Sequence, residues 1–337
     1  MRPVVAILSA RPETIADDYV RLLDLVGIGP DSAMAQPFLA AETHGSGWKP
    51  GQVCPPWQVE AMLKCIGTWG EGTTAPLSML TVKESGPSID LRGFGWDDIL
   101  DRHDLRPMDS GTMAAAPFRP TALLPALEGV LPQGFRLSPH LRGKDLVLAS
   151  AMSLEPGGKL AGNVALLASM LAAERKTGGK IPVVEVLAEV VGLAREVFNS
   201  MLVVTDATVI SVVRQGGMRV PLVRNLLLAG TDAVAVDSVL VRLAGLNAAD
   251  CGWLNLCQDR GLGVADLAGI QLVGEPEWLD LDFRIPEDTF ASGNPVASWS
   301  PVNLWKRMAG KSGAASSLSL DSAWNRLYRD FQSGVTS

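Results

Sequence analysis

The stretch Met201–Leu246 decides the fold, and it reads MLVVTDATVISVVRQGGMRVPLVRNLLLAGTDAVAVDSVLVRLAGL. It contains two short apolar runs, Met201–Thr205 and Asn225–Ala229. Neither run alternates apolar with polar residues, which predicts two strands buried on both faces of a sheet. A segment with helical periodicity, Ala233–Ala244, follows the second run after a tight Gly-Thr-Asp turn. Strand, turn and helix in this order form half of a βαβ unit.

Aspartates mark the ends of both predicted strands. Asp206 follows the first run, and Asp232 closes the turn after the second. Because ligands of open α/β sheets bind beyond the carboxyl ends of strands, both are candidate site residues. An Asp directly before a helix is also the usual N-cap, so a structural role remains open for Asp232.

A third aspartate, Asp237, falls inside the apolar face of the predicted helix when residues are placed at about 100° intervals. A carboxylate there loses its water and needs backbone N–H groups, a basic side chain or a metal. A single structural hydrogen bond helped by the helix dipole is the alternative. We predict that Asp206, Asp232 and Asp237 converge on one cleft. Three carboxylates without a histidine favour a hard divalent cation such as Mg²⁺ over zinc.

Composition limits the classes of partner. The 337 residues are 47% hydrophobic, enough for the core of one large or two smaller domains. The net charge is −7 and no run is rich in Lys or Arg, which argues against a nucleic-acid partner. The start, Met1–Ala10, resembles a strand rather than a signal peptide. No stretch of about 18 uncharged apolar residues occurs, so we expect no membrane span and a cytoplasmic protein.

The cysteines and histidines lack metal-site spacing. No CxxC pair occurs, and the spacings fit neither a zinc ribbon nor an iron–sulfur motif. We therefore predict buried reduced thiols and no iron–sulfur cluster bound by this chain alone. The three histidines share no ligand spacing, which argues against a His-based metal site. These residues are Cys54, Cys65, Cys251 and Cys257, with His44, His103 and His140.

Short apolar runs alternate with helical periods about six times before residue 275. This alternation predicts a single α/β domain over residues 1–276, with a mostly parallel or mixed sheet flanked by helices. The predicted strands are Val4–Leu8, Leu77–Lys83, Asp145–Met152, Met201–Thr205, Asn225–Ala229 and Ile270–Val273. The segment Gly29–Val53 is predicted to be a loop. Residues 277–337 are predicted to be an extended tail with aromatic anchors, which dock on their own domain, on a protein partner or on a membrane surface.

Further candidate ligand contacts follow the second and third predicted strands. Gly157 and Gly158, with Lys159, precede a predicted helix over Leu160–Arg175. Such a pair presents free N–H groups to an anion, or makes a simple turn. The phosphate motifs GxxxxGK[ST] and GxGxxG are absent. Together with Glu84 and Ser85 after the second strand, and with Asp206, these residues form the predicted site for an unknown small molecule.

The final third of the domain resembles the domain of unknown function 362 family. The matching pieces are Gly230-Thr231-Asp232 through Asp237, Gly261 to Gly263, and Gly274-Glu275, where the family has a "D-P-V-A-x-D" segment, "G-L-G" and "V-x-G-E". Earlier pieces match more loosely: Cys54-Pro55-Pro56, Glu84-Ser85-Gly86 and Trp96 to Leu105. The resemblance implies an α/β fold and a link to iron–sulfur and redox proteins.

The chain departs from the family pattern at the basic residues. Ser153, Glu155 and Gly157 stand where the family has a Lys-x-Lys-x-His group, and Ala168-Ser169 stand near its Lys-Asn pair. The ferredoxin-like cysteine insert is missing. A site without these Lys and His groups cannot bind the same anion or perform the same proton transfer. Two functions stay open: an enzyme of altered chemistry with an acidic site, or a non-catalytic binding or assembly subunit.

Overall fold

The computed structural model describes residues 2–31, 34–43, 48–69, 78–82, 91–109, 114–131, 133–155, 159–172, 182–213, 219–281, 283, 285 and 322–334. Within them, eleven strands and ten α-helices form one α/β domain. The strands are β1 Val4–Ser9, β2 Pro37–Glu42, β3 Ser78–Val82, β4 Met108–Asp109, β5 Ala116–Pro117, β6 Arg136–Leu137, β7 Asp145–Glu155, β8 Lys159–Ala161, β9 Ser200–Val213, β10 Arg219–Gly230 and β11 Gln271–Gly274. The helices are α1 Ile15–Leu25, α2 Pro56–Thr68, α3 Asp97–Arg102, α4 Pro125–Val130, α5 Asn163–Leu171, α6 Val183–Val197, α7 Ala233–Leu243, α8 Gly252–Asp259, α9 Trp278–Leu281 and α10 Ala323–Gln332.

A mixed nine-stranded sheet forms the centre of the domain, in the order β11-β1-β10-β9-β7-β2-β3-β4, with β8 paired to β7. The strands from β9 through β7, β2 and β3 to β4 are parallel to one another. Strand β10 runs antiparallel to both β9 and β1. The predicted α/β class with a mostly parallel or mixed sheet is therefore confirmed.

Each face of the sheet carries its own hydrophobic core. Helices α4 to α8 pack on one face, called here the α5 face, and bury alternate strand residues such as Leu148, Val203 and Leu228. Helices α1, α2, α3 and α10 pack on the other, called here the α2 face, over residues such as Ala149 and Val204. Among the described residues, no helix is both long and apolar enough to cross a bilayer.

The central stretch forms longer strands than its apolar runs indicate. Strand β9 continues through Asp206 to Val213, so the prediction that this strand stops before Asp206 is wrong. Strand β10 begins at Arg219 and runs opposite it. The polar residues of β9 stay in the strand because they are buried and hydrogen-bonded, with Thr208 at 0% and Ser211 at 1% exposure.

Strand β2 lies within the segment Gly29–Val53, where a loop was predicted, so that prediction is wrong for its residues. Its sequence PFLAAE is short and alanine-rich, and alanine has a low strand propensity. Burial on both faces compensates: Phe38 and Ala40 contact the α5 core, while Leu39 and Ala41 contact the α2 core.

Several aromatic residues of the predicted tail dock on the domain, and Phe283 among them is 1% exposed. Trp278 donates from Nε1 to Ser9 Oγ at 3.2 Å and to Glu275 Oε2 at 3.1 Å. Trp324 on α10 is 2% exposed and donates from Nε1 to Asn225 Oδ1 at 2.8 Å. The other predicted anchors Phe290, Trp299 and Trp305 lie outside the described residues.

Candidate functional site

Asp237 is held by the N-terminus of helix α5. Its Oδ1 accepts from the backbone N–H and the side-chain amide of Asn163, both at 2.8 Å, and its Oδ2 accepts from Val164 N at 3.0 Å. The side chain is fully buried, and this desolvation raises its pKa to about 6. Backbone and amide donors thus meet the need of this carboxylate, and they link α7 to α5.

The same Asn163 extends this contact into a buried polar network on the α5 face. Ser150 Oγ donates to Asn163 Oδ1 at 2.7 Å, and Asn163 Nδ2 donates to Thr205 Oγ1 at 3.0 Å. The two hydroxyls of Ser150 and Thr205 lie 3.1 Å apart. The network connects β7, β9, α5 and α7, so it fixes how these elements pack.

Asp232 is an N-cap. Its Oδ1 accepts from Val234 N at 2.9 Å and from Ala235 N at 3.1 Å, at the start of α7. Its Oδ2 accepts from Val264 N at 3.1 Å, which ties the loop after Gly263 to this helix. The structural alternative predicted for Asp232 is the one observed.

Asp206 lies in the middle of β9, at a bulge in the pairing with β7. Its Oδ2 accepts from Tyr19 OH and from Trp57 Nε1, both at 2.8 Å. Its Oδ1 accepts from both the backbone N–H and the hydroxyl of Thr208. Burial still raises the pKa of Asp206, although these four donors oppose the shift.

The predicted convergence of the three aspartates is wrong. Asp206 bonds to Tyr19 and Trp57 on the α2 face, whereas Asp237 bonds to Asn163 and Val164 on the α5 face. Because successive strand residues point to opposite faces, one position in β9 separates the two networks. Across the described ranges, no group of three or more His, Cys, Asp or Glu residues could hold a metal ion. Asp206, Asp232 and Asp237 therefore do not form the predicted Mg²⁺ site.

The predicted contacts after the second and third strands are mostly outside the described residues. Glu84, Ser85, Gly157 and Gly158 all fall there. Lys159 begins β8, where it pairs with Glu155 of β7 as part of an antiparallel hairpin. The predicted helix start at Leu160 is wrong, because that residue is in β8 and α5 begins at Asn163. The glycine pair consequently precedes a strand, and the predicted helix N-terminus does not follow it.

The topology marks a different place for a site, between β2 and β7. These strands are parallel neighbours. From β2 the chain proceeds through α2, on the α2 face, to β3 on one side. From β7 it proceeds through α5 and α6, on the α5 face, to β9 on the other side. Such a reversal leaves a crevice at the carboxyl ends of the two strands, which is the usual ligand site of open α/β sheets.

Glu42 occupies this switch point. It is the last residue of β2, and its Oε2 accepts from the backbone N–H of Ala151 on β7 at 3.2 Å. Glu42 is partly exposed, whereas Asp206 and Asp237 are buried. Desolvation of its carboxyl raises the pKa to about 8, and the bond from Ala151 only partly opposes this shift. An acid with a pKa near neutrality at a strand end is typical of a functional site.

Cys54 connects Glu42 to the Asp206 network. Its backbone N–H donates to Glu42 O at 3.1 Å, and its thiol donates to Gln58 Oε1 at 2.9 Å. Gln58 in turn donates to Val204 O at 2.9 Å, next to Asp206 on β9. Burial, and then the charges of Asp206 and Glu42, raise the pKa of the Cys54 thiol well above its ordinary value. This thiol is consequently protonated and unreactive.

All four cysteines are free and buried, as predicted for the thiols. Burial raises the pKa of Cys65 and of Cys251 to about 11, and that of Cys257 to about 12. The expectation that the chain alone binds no iron–sulfur cluster stays a prediction.

Sequence reasoning missed Glu42 because it missed β2. The available signal was a short apolar run, PFLAA, followed by a carboxylate. This pattern is similar to that of Met201–Thr205 before Asp206. The strand was not predicted because alanine has a low strand propensity and the surrounding glycines and prolines are typical of loops.

No family model matches this chain, and neither the curated proteins nor the solved structures include a significant match. The similarity to the domain of unknown function 362 family accordingly stays a prediction.

Proposed function

We propose that the chain binds a small organic molecule in the crevice at the carboxyl ends of β2 and β7, with Glu42 as the group that contacts it. The position of Glu42 supports this most strongly. Its carboxyl bridges the two strands where the connections of the sheet diverge, and it remains partly exposed.

The chemistry of Glu42 indicates the class of ligand. With a pKa of about 8, the carboxyl carries its proton at neutral pH and acts as a hydrogen-bond donor. A neutral carboxyl does not attract a divalent cation, but it binds an oxygen acceptor such as a carboxylate or carbonyl group. It can also deliver its proton as a general acid. The proposed ligand is therefore an oxygen-bearing small molecule.

A second candidate function is a non-catalytic binding or assembly subunit. It is supported by the aspartates, because Asp206, Asp232 and Asp237 each accept hydrogen bonds from groups of the chain itself. Their carboxylates stabilise the fold and provide no reactive group. If this second function is correct, replacing Glu42 does not change the binding of any small molecule or protein to the chain.

The test is a thermal-shift screen of the full chain against small carboxylic acids and carbonyl compounds. We expect a subset to raise the melting temperature, with Glu42→Ala abolishing the rise. Glu42→Gln keeps part of it, because the amide still donates a hydrogen bond. Asp145→Asn is the matched control. Asp145 accepts hydrogen bonds from Gln36 and Ser200 at the amino ends of β2, β7 and β9, far from the proposed crevice at their carboxyl ends. An equal ligand-induced rise in Glu42→Ala, or no rise with any compound, contradicts the proposal.

A further inference from the structure

The C-terminal helix α10 docks on the α2 face by two buried aromatic side chains. Trp324 lies against Trp57, with ring centroids 5.2 Å apart, and Phe331 lies against Gly95. Polar anchors fix its position: Trp324 Nε1 bonds to Asn225, and Tyr328 OH donates to Gly93 O at 2.8 Å. Asn225 has a φ of 57° at the bulge of β10, so its side chain is presented by an unusual backbone conformation.

Helix α10 has ten residues, and Ile285 precedes it by more than thirty residues of sequence. An isolated helix of this length is marginal in water, because nucleation is unfavourable and few backbone bonds follow. Packing of Trp324 and Phe331 thus stabilises the helix. Docking and helix formation are coupled, which makes α10 a two-state element.

A second segment meets α10 at the same carbonyl group. Gly93 O also accepts from Trp48 N at 2.8 Å, so this one oxygen binds both Trp48 and Tyr328. The rings of these two residues lie 4.3 Å apart. Trp48 begins the stretch 48–54, called here the Trp48 loop, which precedes α2.

The other side of the Trp48 loop rests on the sheet and on the end of β2. Gly51 has a φ of 67°, and a Cβ atom there would lie 2.2 Å from Ser211 N of β9. Only glycine allows this close approach. At the end of the loop, Cys54 N bonds to Glu42 O. The Trp48 loop therefore lies between α10 and the strands that carry the switch point.

We propose that α10 is a releasable strap that holds the Trp48 loop over the crevice at Glu42. When α10 undocks, the loop loses the ring of Tyr328 and the shared contact at Gly93, and it opens. A molecule that binds the open crevice then favours the undocked helix, and one that needs the closed loop favours docking. The role of the loop as a cover rests on the proposed ligand site, whereas its coupling to α10 does not.

Hydrogen exchange of the full chain, measured by mass spectrometry, tests this coupling. Trp324→Ala removes one buried tryptophan, so we expect exchange in α10 to accelerate on the order of a hundredfold. The proposal expects the amides of the Trp48 loop to accelerate with it, while β1 and β9 keep their rates. Asp330→Ala is the matched control, because Asp330 is an exposed residue of the same helix. Faster exchange in α10 with an unchanged Trp48 loop overturns the proposal, and so does unchanged exchange in both.

A second measurement addresses Glu42 without any ligand. In Trp324→Ala, the carbon-13 NMR titration of the Glu42 carboxyl should move from about 8 towards its ordinary value of 4.5, because the open loop admits water. An unmoved titration overturns the control of the crevice by α10, whatever the ligand screen shows. If Trp324→Ala unfolds globally, Tyr328→Phe replaces it. That variant removes only the hydroxyl, and it must accelerate exchange in α10 and the Trp48 loop together.

Discussion

Thr205 and Asp206 are consecutive in β9, yet their side chains belong to two separate buried networks. Thr205 bonds to Asn163 on the α5 face, and Asp206 bonds to Tyr19 and Trp57 on the α2 face. Strand β9 thus separates two polar clusters, each enclosed by its own hydrophobic core. A change in either cluster is expected to affect the packing of one face and leave the other nearly intact.

The first prediction concerns Asp237. Asp237→Asn replaces one acceptor oxygen by an N–H₂ group, which faces a donor from Asn163 or Val164. We expect the free energy of unfolding to fall by about 1–3 kcal/mol, because a buried charged hydrogen bond is lost. Urea denaturation measures this loss, with the exposed Asp280→Asn as the control. The loss should be equal with Mg²⁺ and with EDTA; a loss seen only with Mg²⁺ would reinstate a metal role for Asp237.

The second prediction compares the only two tyrosines of the chain, Tyr19 and Tyr328. Tyr19→Phe leaves the buried carboxylate of Asp206 without one of its four donors, so we expect a loss of about 1–3 kcal/mol in unfolding free energy. Tyr328→Phe should cost less, because Gly93 O still accepts from Trp48. Urea denaturation of both variants, and of Tyr19→Phe in an Asp206→Asn background, provides the comparison. The prediction is contradicted if the two substitutions lower the unfolding free energy equally. It is also contradicted if Tyr19→Phe causes the same loss in the Asp206→Asn background as in the original chain.

The third prediction is a pH dependence that arises from Glu42. Its pKa is about 8 in the folded chain against an ordinary value of 4.5, so the folded chain retains a proton that the unfolded chain loses. The stabilising contribution of Glu42 to the free energy of unfolding is fully present below pH 4.5, and it is lost as the pH rises to 8. Glu42→Gln does not titrate, so its unfolding free energy should decline less steeply over this window. Parallel declines for the two proteins would show that Glu42 ionises normally.

The fourth prediction concerns the close approach of Gly162 to Asp237. A Cβ atom at Gly162 would lie 2.7 Å from the carboxyl carbon and both oxygens of Asp237. We expect Gly162→Ala to lower the unfolding free energy by about 1–3 kcal/mol, as overpacking does. Gly67→Ala is the control, because nothing lies within 4 Å of its added Cβ, and it should stabilise helix α2 by about 0.5–1 kcal/mol. Thermal or urea denaturation measures the two variants. Equal unfolding free energies for Gly162→Ala and Gly67→Ala would contradict the predicted clash.

The sequence was sufficient for the features that depend on local patterns. The periodic segment after Gly230 predicted helix α7 within one residue of both observed ends, and the apolar run before it predicted the end of β10 but not its start at Arg219. The position of Asp237 on the apolar face correctly indicated a buried carboxylate that needs donors.

The failures have a common physical cause, because they depend on contacts distant in sequence. A strand buried on both faces is an apolar run whether it is parallel or antiparallel to its neighbours. The sequence of β10 therefore does not indicate that it runs antiparallel to β9. Parallel strands have their carboxyl ends at one edge, but those of β9 and β10 lie at opposite edges. The two aspartates themselves are separated by the faces of β9, because the Asp237 network reaches Thr205 on the α5 face while Asp206, the next residue, bonds on the α2 face.

The place of β1 in the sheet has a consequence for how the chain is made. Strand β1 leaves the ribosome before both of its partner strands, β10 and β11, and Ser9 meets Leu226 only 217 residues later. At roughly 5–20 residues per second, β1 waits for about 10–45 seconds without a partner strand. Its apolar sequence VVAILS is exposed to other nascent chains during this time. A chaperone that shields β1 should therefore increase the yield of folded protein more than one that acts after release.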